Sequence, residues 1–214
     1  MKGINFFVVA SLLAISSGAF AQFTNASSNS SKSSSSIEGW TGIWAEYNPI
    51  KLEAETDISF TGFSGGVSRT FSISQGSPLL IETGVGIQYA SASQSDNGLK
   101  EEIDLLSVKV PVNFLFGFEV PNGNVSIYPF AGVTMRINAT GNYKSTYNGD
   151  TSKGSLFDKD KMYDPWGRFQ IYWQVGVKAC LGKFLAGFSY GKDLMDINKS
   201  CKMQTTSISV GYIF

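Results

Sequence analysis

The chain has 214 residues, 17 Lys+Arg against 17 Asp+Glu, and no His. The length suits one domain plus an export signal, and the balanced charge excludes an electrostatic draw toward nucleic acid. Without His, Ser-His-Asp chemistry is excluded and the commonest general base and metal ligand are missing.

Residues 1–21 read as a secretory signal peptide. Lys2 supplies the positive start, Ile4 to Ile15 form the apolar stretch, and Ala19-Phe20-Ala21 is an A-x-A cleavage site. No Cys follows the apolar stretch, which argues against a lipid-anchored protein. Residues 22–38 are dominated by a serine tract that buries too little apolar surface to offset its ordering entropy, so they are expected to be a disordered linker. Residues 39–214 form the folded part.

From Trp40 onward the chain repeats segments of about ten residues in which apolar and polar or small side chains alternate, the pattern of a strand with one apolar face. In chain order the segments are Trp40–Tyr47, Phe60–Ile73, Leu79–Tyr89, Leu106–Phe118, Val125–Ile137, Arg168–Ala179, Phe184–Tyr190 and Gln204–Phe214. The clearest is the sixth. Phe169, Ile171, Trp173, Val175 and Val177 fall on one face, and Gln170, Tyr172, Gln174 and Lys178 on the other. The connections alternate long and short: 48–59 is long, 74–78 short, 91–102 long, 119–123 short, 141–167 longest, Leu181-Gly182 a two-residue turn, and 191–203 long. Short turns at one end and long loops at the other are the mark of a transmembrane barrel. The reading is therefore all-β: an eight-stranded antiparallel up-and-down barrel, with the last strand paired to the first because lipid cannot satisfy an open sheet edge.

On these registers Glu46, Glu82, Lys109, Arg136, Arg168 and Lys178 point into the lumen. A charge in a narrow interior needs a partner. Eight strands leave little room for an aqueous channel, so a plug of salt bridges is favoured over a selectivity pathway. Glu82 is expected to be held by at least one inward Lys, Arg or hydrogen-bond donor, with Lys109, Arg136 and Lys178 as the candidates. Gly84, Gly86, Gly132, Gly176, Gly187 and Gly211 face inward and leave room for Trp44, Tyr128, Phe130 and Tyr172. Asp158, Asp160 and Asp164 have calcium-loop spacing, but Met162, Tyr163 and Phe169 stand where the loop needs a ligand, a glycine and a bidentate Glu, so the run is a solvated charged loop. No metal, cofactor or catalytic residue is expected.

Several short motifs carry a family likeness. They include Tyr47-Asn48-Pro49, Thr61-Gly62-Phe63-Ser64, Glu82-Thr83-Gly84-Val85-Gly86, Val110-Pro111-Val112-Asn113, Tyr128-Pro129-Phe130-Ala131-Gly132, Ser189-Tyr190-Gly191-Lys192-Asp193-Leu194 and Gly211-Tyr212-Ile213-Phe214. In order and spacing the mature part resembles the small porin-like outer-membrane β-barrels of Bacteroides-type bacteria. The resemblance implies an outer-membrane barrel without naming a substrate. Ile208, Val210, Tyr212 and the terminal Phe214 also look like the C-terminal signature read by the barrel-insertion machinery.

The expected role is that of a structural or surface-interaction protein, with outer-membrane lipid and the insertion machinery as partners, both termini periplasmic, and any partner of the outward loops left open. A narrow channel for ions or small solutes is the alternative, and a secreted lipocalin-like barrel with the reverse polarity is the second. Cys180 and Cys201 are expected not to pair, because an intervening strand separates them by about 25 Å along the barrel axis while a disulfide needs Cα atoms within about 7 Å.

Overall fold

The computed structural model describes residues 39–53, 58–74, 77–96, 98–120, 125–160, 162–198 and 201–214. The expected signal peptide and linker lie outside them, as does the expected Pro121-Asn122-Gly123 turn. The strands are β1 (Thr41–Glu53), β2 (Ile58–Ser72), β3 (Leu79–Asp96), β4 (Leu99–Phe116), β5 (Phe118–Glu119), β6 (Val125–Tyr147), β7 (Asp150–Ser155), β8 (Phe169–Leu181), β9 (Phe184–Asp193) and β10 (Lys202–Ile213). All pairings are antiparallel. β1 pairs β2 on one side and β10 on the other, and β4 pairs β6, which closes the wall. Eight of the strands form that wall; β5 and β7 each pair only with β6.

The side-chain period of two sets the two faces of the wall. On β8 the odd residues Phe169, Val175 and Val177 are exposed while Gln170 and Tyr172 are buried inside. The pattern holds on the last strand, where Ile208, Val210, Tyr212 and Phe214 face outward and Thr205 and Ser207 inward. Small inward residues make room for large ones. A Cβ on Gly86 would strike the Trp44 ring, and one on Gly176 would come within 2.7 Å of the Phe130 ring.

The ends differ from the sequence expectation. The connection expected over 91–102 is mostly strand: β3 continues to Asp96 and β4 begins at Leu99, with Gly98 at φ 81°. Likewise β6 runs on to Tyr147 and turns through Asn148 and Gly149, at φ 48° and 95°, into β7. Two successive positive φ values match the right-handed twist of a tight hairpin, and Asn-Gly tolerates them. At the other end the two-residue turn is Gly182-Lys183 rather than Leu181-Gly182, since Leu181 pairs with Phe184. The β4–β6 register shifts between Leu106 and Ser107, leaving Ala139 as the extra residue of a bulge.

The interior has three layers. At the short-turn end Leu80, Leu115, Tyr128, Phe130 and Cys180 form an apolar cluster. At the loop end a second cluster is built around Ile50, Leu52, Phe60, Leu105, Trp166 and Met203. Buried polar side chains fill the space between: Ser64, Ser68, Glu82, Gln88, Lys109, Asn113, Thr134, Arg136 and others.

Candidate functional site

The polar middle layer is organised around three cations. Lys109 of β4 reaches Glu46 of β1 at 2.8 Å, Lys178 of β8 reaches Glu82 of β3 at 2.6 Å, and Arg136 of β6 reaches Asp193 of β9 at 3.0 Å. In each pair the partners stand on non-neighbouring strands, so the bonds cross the lumen. Each cation also lies near an aromatic ring: Lys109 by Trp44 at 5.6 Å, Lys178 by Phe130 at 5.3 Å, and Arg136 by Tyr172 at 5.5 Å. A ring face within about 6 Å adds further attraction to each cation.

Neutral side chains satisfy much of what remains. Asn113 donates to Glu82 Oε2 at 3.0 Å and accepts from Gln174 at 2.7 Å. Asn48 accepts from the Ser64 hydroxyl at 2.6 Å and donates to Ser207 at 2.7 Å. Gln170 accepts from Arg136 Nε at 2.9 Å, and the backbone N–H of Met203 donates to Asp193. Two charges taken from water cost several kcal/mol each, so they persist inside only with this degree of pairing.

Of the residues expected in the lumen, Glu46, Glu82, Lys109, Arg136 and Lys178 meet there. Glu82 takes Lys178 as its partner rather than Lys109 or Arg136. Arg168 does not join them. It precedes β8, is exposed, donates to the Ala139 carbonyl at 3.0 Å, and lies over the Phe157 ring at 4.2 Å. It fastens the long loop to the bulge at the barrel mouth. Asp193 is the lumen charge that the sequence reading missed. The alternation predicts a strand ending at Tyr190, whereas β9 runs on to Asp193 with the inward parity of Ser189 and Gly191.

A cavity of about 40 Å³ lies between the Glu46–Lys109 and Glu82–Lys178 pairs, lined also by Trp44 and Thr134. It has room for a few waters at most. Among the described residues no group of three or more His, Cys, Asp or Glu is placed to hold a metal ion.

The outer face carries the complementary pattern. An apolar belt is edged by aromatics at both ends. Tyr47, Phe63 and Tyr89 stand in register across β1, β2 and β3 toward the loops. Phe116 and Phe118, with ring centroids 4.7 Å apart, and Phe184 and Tyr212, 5.5 Å apart, mark the short-turn end. Above the upper row the polarity inverts: Lys51, Glu53, Ser59, Ser91 and Glu102 point outward while Ile50, Leu52, Phe60, Ala92 and Ile103 point inward. An apolar belt with aromatic edges, over a wall with no open edge, is a surface built for lipid.

No protein-family model matches the chain, and no curated protein sequence does either. Among solved structures it is similar to Ail, the attachment invasion locus protein of Yersinia pestis, with 16% identity and a TM-score of 0.47 over 83% of this chain and 100% of that one. Neisserial surface protein A gives 14% identity and a TM-score of 0.47 over 81% of this chain and 97% of the other. The outer membrane enzyme PagL gives 9% and 0.43 over 80% and 99%. At these values the likenesses carry no function across, and the eight-stranded barrel stands on this chain's own strand pairing.

Proposed function

We propose that the protein is an outer-membrane β-barrel with a structural or surface-interaction role, closed to solutes and without catalytic function. The observation that carries this reading is the three-layer interior, an ion-paired middle sealed by an apolar cluster at each end. An ion crossing it would have to displace cross-lumen pairs and pass two apolar layers. The sequence likeness to the porin-like barrels of Bacteroides-type bacteria supports the same location. So do the strands that run on past the apolar belt at one end only, β3–β4 and β6–β7, which argues for periplasmic termini at the other. The outward row Ile208, Val210, Tyr212 and Phe214 is what the insertion machinery would read. The loop-end extensions β3–β4 and β6–β7 are the parts left to meet a surface partner.

The test has two arms. Partition of the mature protein into the detergent phase is expected, and recovery in the aqueous phase would favour the secreted lipocalin-like reading. Planar bilayers containing the folded protein are expected to stay silent. Reproducible single-channel steps would favour the narrow channel instead.

A further inference from the structure

One row of the outer face breaks the apolar belt. Thr41, Arg69 and Thr83 stand in register across β1, β2 and β3, all pointing outward, with Ile43, Val67 and Val85 as the next outward residues. Arg69 has no carboxylate partner among the described residues. Its Nη1 donates to the Thr41 hydroxyl at 2.7 Å, and its Nε is buried without any hydrogen-bond partner. The guanidinium carbon lies 5.7 Å from the centroid of the Phe71 ring. Phe71 stands two residues nearer the short-turn end of β2, so the side chain leans away from the middle of the belt, as a snorkelling arginine does.

A cation on a lipid-facing wall is costly unless something of opposite charge meets it. Among the described residues no such group meets it. What the protein supplies is the end of a planar guanidinium, whose two Nη atoms keep N–H groups beyond the one given to Thr41, between two threonines in register on the neighbouring strands. That arrangement matches a phosphate oxygen pair, which a guanidinium binds through two parallel N–H bonds. The apolar residues directly above the row offer a track for acyl chains.

We propose that Thr41, Arg69 and Thr83 form a binding site for the phosphodiester of a glycerophospholipid in the leaflet at the short-turn end. The inference rests on the membrane placement proposed above. The lipid's phosphate accepts from the Arg69 fork and from the threonine hydroxyls, and its chains lie along the belt.

Native mass spectrometry of the folded protein, titrated in micelles with phosphatidylglycerol, tests this. One lipid should remain bound to the wild type, with binding weakened in Arg69→Lys, which keeps the charge and loses the fork, and abolished in Arg69→Leu. Diacylglycerol, which lacks the phosphate, should not be retained, and inorganic phosphate should not displace the lipid. Retention by Arg69→Leu equal to wild type, or equal retention of diacylglycerol, would overturn the site. Displacement by inorganic phosphate would overturn the lipid as its occupant and leave a bare anion site. Because Arg69 is on the outer face, Arg69→Leu should still fold, which a heat-dependent shift in gel mobility reports. A wild type that fails to enter the detergent phase ends the membrane reading itself. One that enters it, folds and still shows no phosphate-dependent lipid binding ends only this proposal.

Discussion

The side chains of the lumen stand or fall in pairs. Glu82 is almost wholly buried and its carboxylate takes Lys178 and Asn113. Replacing it alone by Leu strands the Lys178 ammonium beside Phe130. Removing one partner of a buried pair costs about 3–5 kcal/mol, whereas replacing both with apolar residues of similar size is near neutral. Urea unfolding from lipid vesicles should therefore show Glu82→Leu strongly destabilised and Glu82→Leu with Lys178→Met close to wild type. A double variant as weak as the single one would mean the pair is not the unit. Beyond the membrane, Glu102 sits between Lys100 at 2.6 Å and Lys144 at 2.9 Å, and hydrogen bonds from both hold its carboxyl down to about 2. A depressed carboxylate stabilises the folded state above its ordinary pKa near 4.5 and loses that contribution as pH falls through about 2. A carbon-13 carboxyl titration should place the Glu102 midpoint near 2 and move it upward in Lys144→Gln; a midpoint unmoved by that change would discard the lysine as its cause. Strand parity alone pointed Glu46, Glu82, Lys109, Arg136 and Lys178 inward. Their pairings were not legible, because partners sit on non-neighbouring strands and the shear of the barrel fixes their relative heights. Arg168 departs from parity because it lies one residue before β8, where the strand no longer constrains a side chain.

At the scale of a strand, the alternation argument is sharpest on β8. Val175 is 46% exposed on the outer face, and its neighbour on β6 is Ala131, also outward. An arginine at a position near the bilayer midplane costs about 2–4 kcal/mol, so Val175→Arg should lower the unfolding free energy in vesicles by that amount. Insertion and stability equal to wild type would place Val175 elsewhere than mid-bilayer. The inward glycine of β3 gives a steric counterpart. Gly86→Val should destabilise because Trp44 occupies the space, and Trp44→Leu in the same chain should restore part of the loss. If the second change gives no recovery, the two residues are not sharing that volume. The same alternation explains what the sequence hid. Above Tyr47 and Tyr89 the period of two persists but its sense reverses: Ile50, Leu52, Ala92 and Ile103 turn inward while Lys51, Glu53, Ser93 and Glu102 turn outward. A reader who expects apolar side chains outside sees these stretches as irregular loops. They are strand continuing into water, where a barrel takes the polarity of a soluble protein. For that reason the eight wall strands are legible in the sequence and the upper reaches of β1, β3, β4 and β6 are not.

For the whole molecule, the tight turns and the extended hairpin set which end is which. The short-turn end holds the chain's final strand residue, the Gly182-Lys183 turn and the apolar cluster that includes Cys180. The loop end holds the β6–β7 hairpin and the cluster against which Cys201 packs. No disulfide joins the two cysteines. β9, ten residues long, climbs the wall between them. At about 3.3 Å per residue and a tilt near 40° that climb is about 25 Å, close to the full height of an apolar belt. The thiols therefore report on opposite faces of the membrane. Cys180 is also shut away, being buried with its Sγ 3.3 Å from the Gly182 carbonyl, whereas Cys201 is partly exposed. A membrane-impermeant maleimide applied to intact cells should label Cys201 and leave Cys180 untouched until the barrel is unfolded in denaturant. The single variants Cys180→Ser and Cys201→Ser assign each signal. Labelling of Cys201 only after the outer membrane has been opened would turn the barrel over and put the termini outside. A native bridge between the two would break the wall itself, since no strand could then run between them.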